Sequence, residues 1–523
     1  MSTCNVRNSF LRVVILFTVL FCGYQCWGQS VPSVTDYFAI RVVDSETGRG
    51  VPLVELTTVN QARYITDSAG YVAFHEPGLM DRDVFFYVKS HGYEFRKDGF
   101  GYRGKRLRTT PGSESVLQIE RKNVAERLYR MTGQGIYRDS VLLGRETPIA
   151  NPTLNGLVLG SDSVVNAVYR DHIFWFWGDT NRPGYPLGNF HVPGATSFLP
   201  EQGGLDPAQG VDLEYFVDEK TGFALPTAKM PGQGPTWING LTVLTDAQGE
   251  ERMFATYVKI RNSLEVYERG LVEFDPASNR FEQAVVFQLE SPLYPTGHPF
   301  THVDDGIEYV YFADPLPMVR VQATVEDFMD LDAYETFTCF APFDSSEASS
   351  DAAPPRLDRD AEGRLRYGWK TNAPPLTQTQ ERRLVRQGDI SPEEARFQVE
   401  EPGAERLLHL HRGSVYWNEY RNRWVMIACQ TGGDSQLGEI WYLESGAPEG
   451  PWRNPRKIVT HDAYSFYNPK QHPMFDDEGG RIIYFEGTYT TTFSGRSDQT
   501  PRYDYNQIMY RLDLDHPRLD LPR

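Results

Sequence analysis

The sequence predicts an all-β protein: a small β-sandwich followed by a five-bladed β-propeller. Three observations support this fold class. Short apolar runs, separated by glycine and aspartate turns, fill the first part of the chain. An apolar hairpin then recurs five times along the remainder. No long segment keeps the 3.6-residue period of a helix, so strands are expected to be the main elements.

Residues 1–28 have the features of a cleaved signal peptide. A short apolar run, Val13–Phe21, follows two arginines, and small residues stand at Cys26 and Gly28. The run is short for a membrane span, and a retained anchor is the alternative interpretation. No later stretch is long and apolar enough for a membrane helix. We therefore expect a secreted or periplasmic protein with no membrane association after signal cleavage.

The amino-acid composition and net charge limit the classes of molecule that the protein could bind. The net charge is −18 and there is no basic stripe, which argues against binding to nucleic acid or to anionic membranes. The two cysteines after the signal peptide, Cys339 and Cys429, could pair in an oxidising compartment or remain as buried thiols. We expect a monomer whose partner is a polysaccharide or oligosaccharide, for the reasons given below.

Residues 36–121 are predicted to form the sandwich. The motif V-x-D-x-x-T-G-x-x-V-P begins at Val42, T-D-x-x-G-x-x-x-F begins at Thr66, and His91-Gly92-Tyr93 follows. This series resembles the carboxypeptidase-regulatory-like (transthyretin-like) module. Such modules are usually accessory, so the resemblance implies no chemistry here.

Residues 122–150 are predicted to be a linker, and residues 151–515 the propeller. In each of the five hairpins a strand leads through a turn into a strongly apolar strand. The matching positions in the five apolar strands are Trp177, Ala255, Phe312, Ile427 and Phe485. An insertion at about 342–403, rich in Pro, Ser and charged residues, is expected to cross one face. Two packed β-sandwiches are the alternative to the propeller.

The first hairpin places two aspartates opposite each other. If Arg170-Asp171 is a two-residue turn, Tyr169 pairs with His172, and the same register carried outward pairs Asp162 with Asp179. Opposite residues on antiparallel strands have Cβ atoms about 5 Å apart. Two like charges at that distance push their pKa values apart, and cleavage of a glycosidic bond needs such an acid and base. The alternative is that both aspartates only cap turns.

A family resemblance points to the same pair. An Asp-bearing turn leading into F-W-F-W-G-D-T, and a last blade with Tyr467-Asn468-Pro469, His472-Pro473 and Tyr505-Asn506, resemble furanosidase-type five-bladed propellers. The family is the one once catalogued as domain of unknown function 4185, which includes endo-D-arabinanases. By motif, the resemblance implies that Asp162 and Asp179 are catalytic. Ser163, where the family usually has Leu or Gly, and the large insertion depart from the family pattern.

Further residues are candidates for contact with a sugar. Trp177 and Trp237 could stack on sugar faces, although core packing would equally explain a tryptophan on an apolar strand. Glu268 offers a third carboxylate, or else a solvated charge on an exposed strand. The remaining candidates are expected in loops between strands, where turn roles are the alternative: Tyr467, Asn468 and His472.

The sequence therefore predicts a secreted glycoside hydrolase that cleaves a polysaccharide with an aspartate pair at the mouth of the propeller channel. No metal ligands or other cofactors are expected, and a structural channel cation such as calcium is left open. Two alternatives remain: a non-catalytic propeller that binds carbohydrate or protein, and a polysaccharide lyase. The sugar, the linkage and the stereochemical outcome are not specified by the sequence.

Overall fold

A computed structural model describes residues 33–261, 264–291, 293–343, 355–404 and 406–522. The signal peptide predicted at residues 1–28 lies outside these ranges. None of the helices in the described ranges has the length and apolar character to cross a membrane. The structure is dominated by strands, which confirms the all-β fold class.

The first domain is a sandwich of two four-stranded sheets, with strand orders β4-β1-β8-β6 and β3-β2-β5-β7. Strand β1 pairs with β8 in parallel and with β4 antiparallel. Alternate apolar side chains such as Ile40, Val72 and Phe86 face inward and form one core between the sheets. The strands are β1 (Phe38–Asp44), β2 (Glu55–Thr58), β3 (Arg63–Ile65), β4 (Tyr71–Phe74), β5 (Asp83–Lys89), β6 (Tyr93–Glu94), β7 (Gly104–Arg108) and β8 (Glu114–Arg121).

The segment 122–150 is not the simple linker that the sequence predicted. It contains strand β9 (Glu126–Arg130) and helix α1 (Arg138–Leu142). Strand β9 pairs antiparallel with the last strand of the chain and so completes the fifth blade. A single isolated strand has no local partner, so no short-range pattern in the sequence reveals this role.

The first blade is the sheet β11-β12-β15-β16, and a small sheet β10-β13-β14 lies beside it. Trp177 directly follows the second strand of this blade, close to the position predicted from the repeat. The strands are β10 (Gly160–Ser161), β11 (Val165–Tyr169), β12 (His172–Phe176), β13 (Thr180–Arg182), β14 (Tyr185–Asn189), β15 (Gly194–Phe198) and β16 (Glu214–Tyr215).

The second, third and fourth blades each begin with the hairpin predicted from the repeat. Ala255, Phe312 and Ile427 lie in the second strands β18, β22 and β27. The strands are β17 (Thr236–Thr245), β18 (Glu251–Arg261), β19 (Glu265–Asp275) and β20 (Arg280–Phe287); β21 (His298–Asp304), β22 (Ile307–Ala313), β23 (Pro317–Gln322), β24 (Glu335–Thr338) and β25 (Gly368–Lys370); and β26 (Leu410–Asn418), β27 (Arg423–Gln430), β28 (Ile440–Ser445) and β29 (Arg453–Val459).

The fifth blade consists of β30 (Ser465–Gln471), β31 (Ile482–Thr490), β32 (Asn506–Asp513) and β9. The first strands of successive blades touch one another, and Asn166 of β11 hydrogen-bonds Lys470 of β30, which closes the ring. The described part of the insertion is ordered against the third blade. It supplies β25 and helix α3 (Gln378–Gln387), and helix α2 (Val325–Met329) precedes it. Cys339 and Cys429 are both buried and free.

Three of the five inner strands are irregular. The pairing register shifts in β17 between Asn239 and Thr242, in β26 between His411 and Gly413, and in β30 between Tyr467 and Lys470. A β-bulge bends its strand and redirects a side chain, and bulges of this kind are frequent beside active sites. Here all three lie toward the same end of the channel.

Candidate active site

The first blade brings Asp162 and Asp179 together as the sequence predicted. Tyr169 pairs with His172 across a turn at Arg170 and Asp171, whose φ angles are 49° and 62°. Positive φ at both positions is the geometry of a two-residue hairpin turn whose twist matches the strands. Ser161 pairs with Thr180 in the continuation of that register.

Asp162 and Asp179 therefore lie opposite each other at the entry and exit of the hairpin. The Asp162 amide donates to the Asp179 carbonyl at 3.3 Å. Gly178 is needed at this point, because a Cβ built on it would stand 2.1 Å from Oδ1 of Asp162. The close approach of the Asp162 carboxylate to the backbone explains the glycine in the Gly-Asp-Thr string.

Asp162 is the more strongly perturbed of the two carboxyl groups. Burial and the charge of Asp179 raise its pKa to about 6, and donors that stabilise the ionised form offset part of this effect. The main donor is the hydroxyl of Tyr467, 2.6 Å from Oδ2. Tyr505 also lowers the pKa of Asp162 as a side-chain hydrogen-bond partner. Tyr505 lies in the Tyr505-Asn506 motif of the last blade, and no role for it was predicted from the sequence.

Asp179 is held differently. The indole Nε1 of Trp237, on the second blade, donates to its Oδ1 at 3.0 Å. Burial raises the pKa of Asp179, and the Trp237 hydrogen bond lowers it. One carboxyl group is therefore held by the last blade and the other by the second blade. Their environments differ although their positions in the hairpin are symmetric.

The two aspartates line a cleft of about 740 Å³ at the channel mouth. Its walls are largely apolar, and several of their side chains remain exposed. Two arginines, Arg269 and Arg412, also line it. Among the described residues, Asp162 and Asp179 are the carboxylates that line this cleft. The apolar wall includes Val192, Trp237, Ile260, Leu264, Val266, Leu289, Leu437 and Phe493.

Tyr467 and Asn468, predicted to lie in a loop, instead occupy the start of strand β30, and both line the cleft. Asn468 has a φ of 51° within the bulge, and its Nδ2 donates to Oγ of Ser163 at 2.7 Å. Asparagine tolerates the left-handed region better than most residues. The bulge therefore turns both side chains of the fifth blade toward the aspartate pair.

Trp177 is a wall of the cleft rather than a platform for a sugar. Only 1% of its surface is exposed, and it stacks on Trp175 with ring planes 7° apart. Trp237, in contrast, lines the cleft and is partly exposed. Trp177 thus belongs to the core, and Trp237 belongs to the candidate site.

Glu268 is not one of the residues that line the cleft. Its Oε1 accepts hydrogen bonds from the Tyr257 hydroxyl at 2.8 Å and from Gln283 Nε2 at 3.1 Å, both within its own blade. Contact between Glu268 and a sugar stays a prediction. Tyr257 itself lines the cleft. Glu268 is one of the groups that fix the position of Tyr257.

His472 is also displaced from the cleft. Strand β30 runs from the channel mouth toward the opposite end of the propeller, so His472 lies roughly 16 Å beyond Tyr467 at strand spacing. The imidazole is fully buried, and its Nδ1 lies 2.9 Å from Nδ2 of Asn166. Its Nε2 lies 3.3 Å from Oε1 of the equally buried Glu486. The prediction of a sugar contact for His472 is wrong for this reason.

His472 belongs to a cluster in the channel, here called the channel cluster, which comprises Asn166, Lys470, His472 and Glu486. Burial raises the pKa of Glu486 to about 8 and lowers the pKa of Lys470 to about 7. Burial also lowers the pKa of His472 well below its ordinary value. Nδ2 of Asn166 donates to Nδ1 of the neutral His472, so the imidazole proton is on Nε2, the nitrogen that lies near Oε1 of Glu486. A neutral imidazole beside a carboxyl group that burial keeps protonated explains two charged residue types side by side without solvent.

Among the described residues, no three side chains of His, Cys, Asp or Glu are placed to share a metal ion. The expectations about cofactors and about a channel cation stay predictions.

The sequence matches no protein-family model, and a search of curated proteins gave no match. Some solved structures resemble the fold. A protein from Bacteroides ovatus ATCC 8483 aligns with a TM-score of 0.40 and 12% identity, over 70% of this chain and 89% of its own. An exo-β-1,3-galactanase from Phanerochaete chrysosporium aligns with a TM-score of 0.35 and 9% identity, over 75% of this chain and 65% of its own.

An α-L-arabinanase from Penicillium chrysogenum, complexed with arabinobiose, aligns with a TM-score of 0.31 and 9% identity, over 74% of this chain and 99% of its own. These are distant likenesses of fold. The two family resemblances drawn from sequence motifs stay predictions, and the function proposed below rests on the side chains of the cleft.

Proposed function

We propose that this chain is a glycoside hydrolase that cleaves a polysaccharide, with Asp162 and Asp179 as its catalytic pair. The observation that carries the proposal is the pair itself: two carboxyl groups, opposite each other in one hairpin, at the base of an open cleft. Hydrolysis of a glycosidic bond requires one carboxyl group to donate a proton and a second to act as nucleophile or base.

The environments assign the roles. Asp162 holds its proton to about pH 6 and is the general acid. Asp179 is stabilised as the anion by Trp237 and acts as nucleophile or base. The separation of the two carboxyl groups sets the stereochemical outcome, about 5–5.5 Å for retention and wider for inversion. Tyr467 positions the Asp162 carboxyl through its hydrogen bond.

The lyase alternative has less support. A lyase requires a base for the proton next to a uronate carboxyl, and tyrosine is one residue that could serve. Burial and the Asp162 charge raise the pKa of Tyr467 well above its ordinary value. Its proton is already donated to Asp162. His472 is buried away from the cleft, so His411, which lines it, is the histidine that a lyase would need as its base.

We also propose that the protein acts outside the cytoplasm. The support is the arginine-flanked apolar run and the small residues before Gln29. N-terminal sequencing of the protein recovered from culture medium or periplasm should find a chain that begins near Gln29. A chain that starts at Met1 in the membrane fraction would contradict export with cleavage.

The decisive experiment is Asp179→Asn, assayed by release of reducing ends from a panel of bacterial and algal polysaccharides. We expect activity to fall roughly 10³-fold or more, because the substitution removes a group that acts in the transition state. Asp171→Asn is the matched control. Asp171 lies in the exposed turn of the same hairpin, and asparagine suits its positive φ.

Three results would contradict the proposal in different ways. Full activity of Asp179→Asn would remove Asp179 from the mechanism. Saturable binding of a glycan without released ends would favour the non-catalytic propeller. Products that absorb in the ultraviolet because of a new double bond would favour the lyase.

A further inference from the structure

The cleft contains a cation that the catalytic step does not use. Of the two arginines that line it, Arg269 is committed to the protein. Its guanidinium donates to the carbonyl oxygens of Gln288, Leu289 and Ser291 at distances from 2.6 to 3.2 Å, and it packs over the ring of Tyr294. This arginine therefore supports the wall of the cleft and has little capacity for a ligand.

Arg412 is different. Among the described residues its guanidinium has no hydrogen-bond partner, and the nearest carboxylate oxygen is Oδ1 of Asp314, 4.0 Å from Nε. The side chain is 45% exposed. An arginine near a carboxylate normally forms a bidentate pair at shorter distances. Its fork of donors is therefore available on the cleft side.

A β-bulge in strand β26 directs Arg412 toward the channel mouth. In the pairing of β26 with β27, His411 lies opposite Cys429 and Gly413 opposite Ala428, so Arg412 is the extra residue of a bulge. Gly413 is required there, because a Cβ on it would lie 2.3 Å from the Ile427 carbonyl oxygen. The string His-Arg-Gly thus builds a local bend that turns one arginine into the channel mouth.

Position within the cleft separates Arg412 from the reacting bond. Asp162 and Asp179 are held by the fifth and second blades, through Tyr467 and Trp237, whereas Arg412 lies on β26 of the fourth blade. A cation adjacent to the aspartates would stabilise their ionised forms and oppose the role of Asp162 as an acid. Arg412 is therefore placed to contact a part of the substrate beyond the sugar that is cleaved.

We propose that Arg412 recognises an anionic group on the polysaccharide, either the carboxylate of a uronic acid or a sulfate ester. This inference rests on the proposed hydrolase function. The planar guanidinium group of Arg412 suits both oxyanions because it can donate two parallel hydrogen bonds. In a chain with a net charge of −18, an unpaired arginine at the cleft is also a local attraction for an acidic polymer that the rest of the surface repels.

The test compares each charged polymer with its neutral counterpart. A uronate-bearing polysaccharide is assayed beside its carboxyl-reduced form, and a sulfated polysaccharide beside its desulfated form, by release of reducing ends. We expect kcat/KM of the native protein to be at least tenfold higher for one charged polymer than for its counterpart. The pair that shows the preference identifies which oxyanion is bound.

Arg412→Gln should raise KM for the preferred polymer at least tenfold. The ratio of kcat/KM for the charged polymer to kcat/KM for its neutral counterpart should fall close to one. Arg412→Lys should retain part of the preference, because charge remains without the bidentate fork. Arg383→Gln is the matched control, since Arg383 is exposed on α3 and donates only to Gln387 among the described residues. That control should leave the ratio unchanged.

Equal rates on charged and neutral polymers, or a native KM in Arg412→Gln, would overturn the inference while leaving the hydrolase intact. If no polymer gains reducing ends, the hydrolase proposal fails instead. In that case calorimetric binding of the charged polymers decides about Arg412 independently. Binding that Arg412→Gln abolishes supports the inference, and binding that the substitution does not weaken, or no binding, overturns it.

Discussion

Two carboxyl groups of the propeller, Asp162 and Glu486, both have a pKa that burial raises. Asp162 lies at the cleft, whereas Glu486 lies in the channel cluster. Burial raises the pKa of Asp162 to about 6 and of Glu486 to about 8. Asp162 opens onto the cleft and is held by a tyrosine hydroxyl. Glu486 is closed within the channel cluster, fully buried beside His472. The raised pKa values show that both groups are buried. Access to a substrate distinguishes the candidate catalytic group, Asp162, from the structural group, Glu486.

The largest expected difference between the two groups is in activity. Asp162→Asn should lower kcat roughly 10² to 10⁴-fold, because asparagine cannot donate a proton to the leaving oxygen. Glu486→Gln should leave kcat within about threefold of the native value, since Glu486 is fully buried and does not line the cleft. Initial rates of reducing-end release for the two purified variants test this. A comparable loss in both would mean that the channel cluster takes part in catalysis.

The pH profile gives the next largest effect. Asp162 must be protonated to act, so kcat/KM should fall about tenfold per pH unit above roughly pH 6. Glu486, with a pKa of about 8, should leave no limb of its own in the profile. Rates across pH 4 to 9 at fixed ionic strength, with Glu486→Gln in parallel, test both statements. An alkaline limb near pH 8 that disappears in Glu486→Gln would reverse the assignment.

Stability should separate the two sites by the pH at which each substitution acts. The folded chain keeps a proton on Asp162 that the unfolded chain releases near pH 4, so this group lowers the free energy of unfolding as pH rises from about 4 to 6. Asp162→Asn removes that penalty. We expect it to stabilise the protein by on the order of 1–2 kcal/mol at pH 7, and not at all below pH 4.

Lys470→Met should instead stabilise the protein at pH 4 as well as at pH 7, because burial lowers the pKa of Lys470 to about 7 and folding therefore costs free energy wherever the unfolded chain keeps this lysine charged. The buried donor that Asn166 loses offsets about 1–3 kcal/mol of this gain. Urea unfolding of both variants at pH 4 and pH 7 measures these changes. A loss of stability in Asp162→Asn at pH 7 would show that its hydrogen bonds outweigh its burial.

The smallest effect is expected at Tyr467. Its hydroxyl lowers the pKa of Asp162, so Tyr467→Phe should move the alkaline limb to higher pH, by less than about one pH unit. The ring contact with Phe493 does not need the hydroxyl. Tyr185→Phe, at an exposed tyrosine of the small sheet beside the first blade, should leave the limb in place. A shift to lower pH in Tyr467→Phe would contradict the hydrogen-bond direction assigned here.

The parts of the site that the sequence predicted are those that local rules determine. A two-residue turn fixes the register of a hairpin, and that register placed Asp162 opposite Asp179. Other positions depend on distant structure. The bulge in β30 turns Asn468 toward the cleft, and the direction of the same strand removes His472 from it. Arg412 went unnoticed because a bulge leaves only a weak signal in a single sequence.

The same distinction holds for the fold. Each of the five hairpins was visible because both its strands are adjacent in the chain. Strand β9 was read as linker because its partner lies far away; the contact between Glu126 and Arg511 spans 385 residues. Buried hydrogen bonds such as that from Arg127 to Ser90 then join this strand to the sandwich.

Strand β9 also sets an order of events during synthesis. It leaves the ribosome before any of the five blades is complete, and its partner β32 is made after the strands of the first four blades. The ring therefore cannot close until β32 has been made, and Tyr467 and Asn468 on the fifth blade cannot be fixed before then. Closure over so long a loop is slow, and until it occurs the walls of the candidate cleft are not assembled.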